Sequence, residues 1–188
     1  MPDPIAPPGR RVLETAARKG VSIEIVTFPE STHTAEEAAR AVGTNLAQIV
    51  KSLVFVAPRA DDDPEPFVVL IGGPDRVDLA RLAAVLGEPG VRRATAREAR
   101  DLTGFAIGGI PPFGHARPTR VVMDRGLAPH EVVWAAAGTQ NTVFAVAPAT
   151  LRMLANAVVA PVAADEGLAE APTGPAGRPA PAGNRAGG

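Results

Sequence analysis

Only two lysines, Lys19 and Lys51, three histidines and no cysteine occur in the 188 residues, and this short inventory restricts the chemistry open to the chain. Without cysteine there is no thiolate nucleophile, and no Gly-x-Ser-x-Gly elbow presents an activated serine. His33, His115 and His130 lie far apart and lack metal-ligand spacing. No Walker-type or Gly-x-Gly-x-x-Gly loop follows a strand-like run. No metal or cofactor is therefore expected. Any catalysis has to rest on lysine, main-chain amides, hydroxyls or groups of the substrate itself.

Lys51 stands at the entry to the apolar run Ser52 to Ala57. A lysine there either snorkels out of a strand end or presents its ammonium to a partly dry cleft. The second feature is Gly108-Gly109-Ile110-Pro111-Pro112-Phe113-Gly114-His115. Paired glycines let main chain pass close to a ligand, and paired prolines stiffen the segment after them. Such a loop is either an ordinary rigid turn or a set of N–H groups aimed at a carbonyl oxygen. For His115 three roles stay open: general acid or base, phosphate contact, and loop cap. The third feature is Ala135-Ala136-Ala137-Gly138-Thr139-Gln140-Asn141 after Trp134, where small residues leave space and Thr139 offers a hydroxyl. A plain turn between strands explains that segment equally well.

These residues need elements to position them. Val12, Leu13, Ala16 and Ala17 share one helical face in Arg10 to Lys19, and Val21 to Ile25 alternates as a half-buried strand would. Thr34 with Glu37, Asn45 with Gln48, and Thr95 with Glu98 have capping-box spacing, and Asp78 can cap a helix ended by Gly87. Apolar runs predict strands at Ser52–Ala57, Phe67–Ile71, Thr119–Asp124, Glu131–Ala136 and Thr142–Ala147, with Pro148 opening a last helix to Asn156. Arg92, Arg93, Arg97 and Arg100 are the densest basic cluster and read either as a solvated helix face or as a local patch that holds one nucleic-acid end. Asp61, Asp62, Asp63, Pro64 and Glu65 read as a solvated turn, not a metal site.

Mixed short elements with several consecutive strands near the end predict an α+β fold, one domain over residues 10–164 with a mixed β-sheet core and short packed helices. The ends read as loose: 1–9 carries four prolines, and sixteen of the 24 residues in 165–188 are Ala, Gly or Pro. With 46% hydrophobic residues and a formal net charge of -1, the chain can close one core and cannot coat nucleic acid by charge alone. No stretch approaches the roughly 20 apolar residues of a membrane span. Absence of cysteine and of a signal-peptide pattern predicts a cytoplasmic protein with no membrane partner.

In order and spacing, Thr34-Ala-Glu-Glu-Ala-Ala-Arg-Ala-Val-Gly43, Gln48-Ile-Val-Lys51-Ser-Leu-Val-Phe55 and Thr103-Gly-Phe-Ala-Ile-Gly-Gly-Ile-Pro-Pro-Phe-Gly-His115 together resemble the YbaK family. That family comprises free-standing deacylases and the editing insertion of bacterial prolyl-tRNA synthetases. The resemblance spans roughly residues 11–161. It implies an α+β domain whose cleft takes the aminoacylated terminal adenosine of tRNA and hydrolyses mischarged aminoacyl-tRNA in trans, with transient contact to an aminoacyl-tRNA synthetase left open. Lys51 matches the lysine needed for deacylation. Gly108, Gly109 and Pro112 match the loop along the aminoacyl group, and Gly138 matches the turn closing the pocket. The expected catalytic set is Lys51, Gly108 and Gly109. The expected substrate contacts are Ser52, Pro112, Gly114, His115, Gly138 and Thr139.

One branch of the family, the cysteinyl-tRNA deacylases, carries a serine and an aspartate where this chain has Ala136 and Val143. The departure removes cysteine as the obvious target and leaves a small aminoacyl group as the expectation. Two rival functions stay open beside deacylation: a non-catalytic module binding tRNA ends or nucleotides, and a hydrolase of small aminoacyl or nucleotide esters.

Overall fold

The computed structural model describes residues 5–29, 32, 34–60 and 63–165. Among them, eight strands form one mixed sheet: β1 (Ile25–Thr27), β2 (Ile49–Ala57), β3 (Glu65–Gly72), β4 (Arg92–Arg93), β5 (Arg120–Asp124), β6 (Val133–Ala136), β7 (Thr142–Val146) and β8 (Val158–Ala160). Their order is β1-β7-β6-β2-β3-β5-β8, with β4 also lying against β2. Five helices cover the sheet: α1 (Pro7–Arg18), α2 (Ala35–Val42), α3 (Leu79–Leu86), α4 (Ala96–Thr103) and α5 (Pro148–Ala155). This is the α+β arrangement that the residue pattern predicts.

The two central strands explain why their sequences are apolar without alternation. Phe67 through Ile71 of β3 are fully buried, as expected for strands covered on both faces. Val50, Val54 and Val56 of β2 pack on one side with Val12 of α1, Leu102 of α4 and Leu151 of α5. On the other side Phe55 and Ala57 meet Leu82 and Leu86 of α3. Ala38 and Ala39 of α2 close over Ile49 at the entry to β2.

Local signals place the helix ends well. Thr34–Glu37 and Thr95–Glu98 form both halves of their capping boxes, and Asn45–Gln48 does so around the 3₁₀ turn Leu46–Gln48. Asp78 caps α3 through the amides of Ala80 and Arg81, and Gly87 ends that helix in the left-handed conformation.

Other expectations differ from the structure. Helix α1 begins at Pro7, inside the segment 1–9 expected to be flexible. Proline suits a first helical turn, and the buried Gly9 packs where a Cβ would meet Ile5 and Ala137; residues 1–4 lie outside the described residues. The strand expected over 21–25 starts only at Ile25, because β7 offers ladder partners to Ile25, Val26 and Thr27 alone. Arg92 and Arg93 form β4 against Val56 and Phe55 rather than a helix face. Strand β8 has no counterpart among the expected strands; it pairs in parallel with Val122, Met123 and Asp124 of β5. Of the tail 165–188, only Asp165 is described, and it pairs with Arg81 at 2.5 Å. Asp61 and Asp62 also lie outside the described residues, whereas Asp63 pairs with Arg117 at 2.7 Å. No described helix is long and apolar enough to cross a membrane.

Candidate active site

A cavity of about 240 Å³ opens where the sheet is incomplete beside β2. Its floor is the run Ile49–Val54. Thr34, the cap of α2, with Ala35 and Ala38 of that helix forms one wall, Ile107, Gly108 and Ile110 another, and Trp134, Ala136 and Val143 of β6 and β7 a third. Of the residues expected at the site, the structure brings Lys51, Ser52 and Gly108 to this cavity.

Lys51 is the third residue of β2, opposite Ile71 of β3. Its side chain is half-buried, and Nζ donates to the Asp75 carbonyl at 2.5 Å, in the turn after β3. That turn fits tightly: a Cβ on Gly72 would stand 2.7 Å from Asp75 Oδ2, and one on Gly73 2.5 Å from the Leu46 carbonyl. Burial pushes the Lys51 ammonium below the ordinary lysine range. The carboxylates of Asp75 and Glu36 oppose the shift, and the guanidinium groups of Arg93 and Arg76 add to it. Arg93 also borders the cavity, its guanidinium 5.6 Å from the centre of the Phe55 ring. Among the described residues no carboxylate lines the cavity, so its charged groups are two cations. This pair suits an anionic ligand such as a phosphate.

Gly108 adopts φ +90, and a Cβ there would meet the Gln140 side chain at 2.9 Å. Gly109 lies against the main chain of Thr139, where a Cβ would approach three backbone atoms within 2.7–2.9 Å. Two hydrogen bonds tie this loop to the β6–β7 turn: the Gly138 amide donates to the Gly109 carbonyl at 3.0 Å, and Gln140 Nε2 to the Ile107 carbonyl at 3.1 Å. Ile110 and Phe113 anchor the loop in the core, Phe113 meeting the Phe144 ring edge-on at 5.7 Å.

The remaining expected residues do not line the cavity; they hold its frame. His115 is joined through Nε2 to the Pro111 carbonyl at 2.8 Å, and burial pushes its imidazole below the ordinary histidine range. That contact has the geometry of a loop cap, one of the three roles left open by the sequence. Pro112 is buried beneath the loop, and Gly114 packs beside Thr15 of α1. Gly138, at φ +103, packs against Pro8, where a Cβ would come within 2.8 Å. Thr139 Oγ1 is engaged with Asn141 and Thr142 in its own turn.

The sequence marks Arg93 only as one of four clustered arginines. Pairing of β4 with β2 sets it against Phe55 and brings it to the cavity, whereas Arg97 pairs with Asp101 on α4 and Arg92 with Glu98. The α2 wall has no chemical signal at all, since Ala35 and Ala38 matter only by being small. Ala136 and Val143 face each other across the β6–β7 ladder in the cavity wall, so the two departures from the cysteinyl branch are neighbours in space.

The sequence model of the aminoacyl-tRNA editing domain matches residues 29–154. The uncharacterized protein YwhH of Bacillus subtilis (strain 168) is 30% identical over 128 residues, 68% of this chain and 78% of YwhH. The proline–tRNA ligase of Limosilactobacillus fermentum is 30% identical over 95 residues, half of this chain but only 17% of the ligase. The solved structure of a candidate trans-editing enzyme for prolyl-tRNA synthetase superposes with a TM-score of 0.78 at 41% identity, covering 86% of this chain and 99% of that one. The editing-domain match takes in every segment that walls the cavity, from Thr32 to Val143, and the chain belongs to the aminoacyl-tRNA editing domain family.

Proposed function

We propose that this chain hydrolyses the ester bond of mischarged aminoacyl-tRNA, acting in trans on released tRNA. The observation that carries the reading is one cavity lined jointly by Lys51 and the Gly108 loop, bordered by a second cation and free of lining carboxylates among the described residues. Lys51 and Arg93 would hold the ribose-phosphate end of the terminal nucleotide. The Gly108 loop, braced by Gly109 and capped by His115, would lie along the ester. Water adds to the ester carbonyl carbon, the bond to the ribose oxygen breaks, and that oxygen takes a proton. The products are the free amino acid and uncharged tRNA. No carboxylate or histidine lines the cavity among the described residues, and Lys51 is assigned to the phosphate, so the neighbouring ribose hydroxyl is the group proposed to activate water.

Ala35, Ala38 and Ala136 in a cavity of about 240 Å³ favour a small aminoacyl group. The prolyl-tRNA ligase and trans-editing relatives make tRNA for proline the first carrier to test, with transient contact to the cognate synthetase. Size alone separates neighbouring amino acids by only about 1–3 kcal/mol per methylene, so a panel of charged tRNAs is needed. Lys51→Ala is expected to lower multiple-turnover deacylation of alanyl-, seryl- or threonyl-tRNA by at least about 100-fold. Its thermal melt should stay at the wild-type value, since the change removes a half-buried charge. Unchanged turnover in that variant would refute the reading.

A second reading is a binding module without chemistry, favoured by the apolar Ala136–Val143 pair in the wall. It predicts tight binding of charged tRNA with no turnover beyond spontaneous hydrolysis.

A further inference from the structure

We infer that the aminoacyl group docks on the open edge of β2 as if it were one added strand residue. Its carbonyl oxygen accepts from the Ser52 main-chain N–H, and its α-ammonium donates to the Ser52 main-chain carbonyl. This inference rests on the editing reading above and names how that site recognises the α-amino acid.

The edge is defined by where pairing stops. On one side β2 runs without a bulge against β3, from Val50↔Gly72 to Ala57↔Glu65. On the other side β6 pairs only with Ile49 and Val50, and β4 only with Phe55 and Val56. Between them, Lys51, Ser52 and Leu53 have no paired strand on that side among the described residues. Within an antiparallel ladder, alternate residues turn both their N–H and C=O to the same edge. The Val54 carbonyl accepts from the Ala94 amide at 3.0 Å, on the β4 side. Val54, Ser52 and Val50 therefore all turn their polar main-chain groups away from β3. Val50 is met by β6 and Val54 by Ala94, which leaves Ser52 facing the cavity it lines.

Ser52 carries a second sign of an unfilled site. Its Oγ is the one buried side-chain oxygen or nitrogen without a hydrogen-bond partner among the described residues. Native structures pair nearly all such groups, with protein, water or ligand. A gap in a ladder flanked at both ends by paired strands is a place for another main chain to add. The gap from Val50 to Val54 is about 13 Å long at roughly 3.3 Å per residue. That length admits one aminoacyl unit and its ribose, not an extended peptide. An α-aminoacyl ester suits it because its nitrogen and carbonyl oxygen flank one Cα, as they do in a strand residue. One molecule can then satisfy both Ser52 groups at once, and side-chain identity is left to Ala136, Val143 and α2.

The test uses the full chain labelled with 15N and titrated with the non-hydrolysable 3′-alanylamido analogue of adenosine. The Ser52 amide resonance is expected to shift together with that of Gly108. In parallel, kcat/KM for alanyl-tRNA is compared with that for propionyl-tRNA, which lacks the α-nitrogen, each corrected for spontaneous hydrolysis. A loss of about tenfold or more is expected, the range of a charge-assisted hydrogen bond of about 1.5–3 kcal/mol. A Gly108 shift with a stationary Ser52 amide overturns the inference and leaves the editing reading standing, as does equal use of both esters. If no amide shifts and no charged tRNA is hydrolysed, the editing reading falls and the inference falls with it.

Discussion

Three neighbouring residues that line the cavity are proposed to act through different kinds of group. In that reading Lys51 contributes a charge, Ser52 its main chain, and Gly108 the absence of a side chain. Lysine on a strand and paired glycines in a loop are legible as residue types, which is why Lys51, Gly108 and Gly109 stand out in the sequence. Pro112, Gly114, His115, Gly138 and Thr139 come from the same motifs but do not line the cavity, a division that type and spacing do not reveal. Gly109 shows how strict the frame is. A methyl there would sit 2.7–2.9 Å from the Thr139 backbone, which has no flexible end to swing aside. Gly109→Ala is expected to cost about 1–3 kcal/mol in urea unfolding, as overpacking does. By displacing the loop on the order of 1 Å it should also cut deacylation about 100-fold. Gly90→Ala is the control: a Cβ there meets nothing within 4 Å, so both measurements should stay at wild type.

At the scale of elements, legibility depends on the range of the interactions. Capping boxes at Thr34, Asn45 and Thr95 close within three residues, so their spacing alone declares them. Strands β4 and β8 carry no comparable local signal, because the ladder that makes Arg92–Arg93 or Val158–Ala160 a strand is contributed by distant chain. Strand β8 is also held by one buried carboxylate. Asp124, 3% exposed, accepts the amides of Gly126, Val162 and Ala163 at 2.8, 2.8 and 2.9 Å. Asp124→Ala leaves three donors without their acceptor and is expected to lower stability by about 2–4 kcal/mol in urea unfolding. Asp124→Asn, which keeps an acceptor oxygen, should lose less. Equal midpoints for wild type and Asp124→Ala would refute this account of how β8 is fastened.

For the molecule as a whole, a net charge of -1 means that attraction to tRNA has to come from placement of charge rather than its total. Two cations border the cavity. If each neutralises one phosphate of the single-stranded acceptor end, log(kcat/KM) should fall against log salt with a slope of about -1.4. A slope steeper than about -4 would show that a wider basic surface binds the tRNA and would contradict two-point anchoring. The sequence by itself determined the α+β class, the helix caps, the central buried strands and the pairing of Lys51 with the glycine-proline loop as candidates. Each of those rests on residue type or on contacts a few positions apart. Only the tertiary structure decided that the sheet stays open beside Ser52, that Arg93 leaves its basic cluster to border the cavity, and that Ala136 and Val143 wall it. Those facts depend on which distant segments pair and where the pairing stops. Backbone ladders are made by every residue alike, so the sequence carries no mark of the gap they leave.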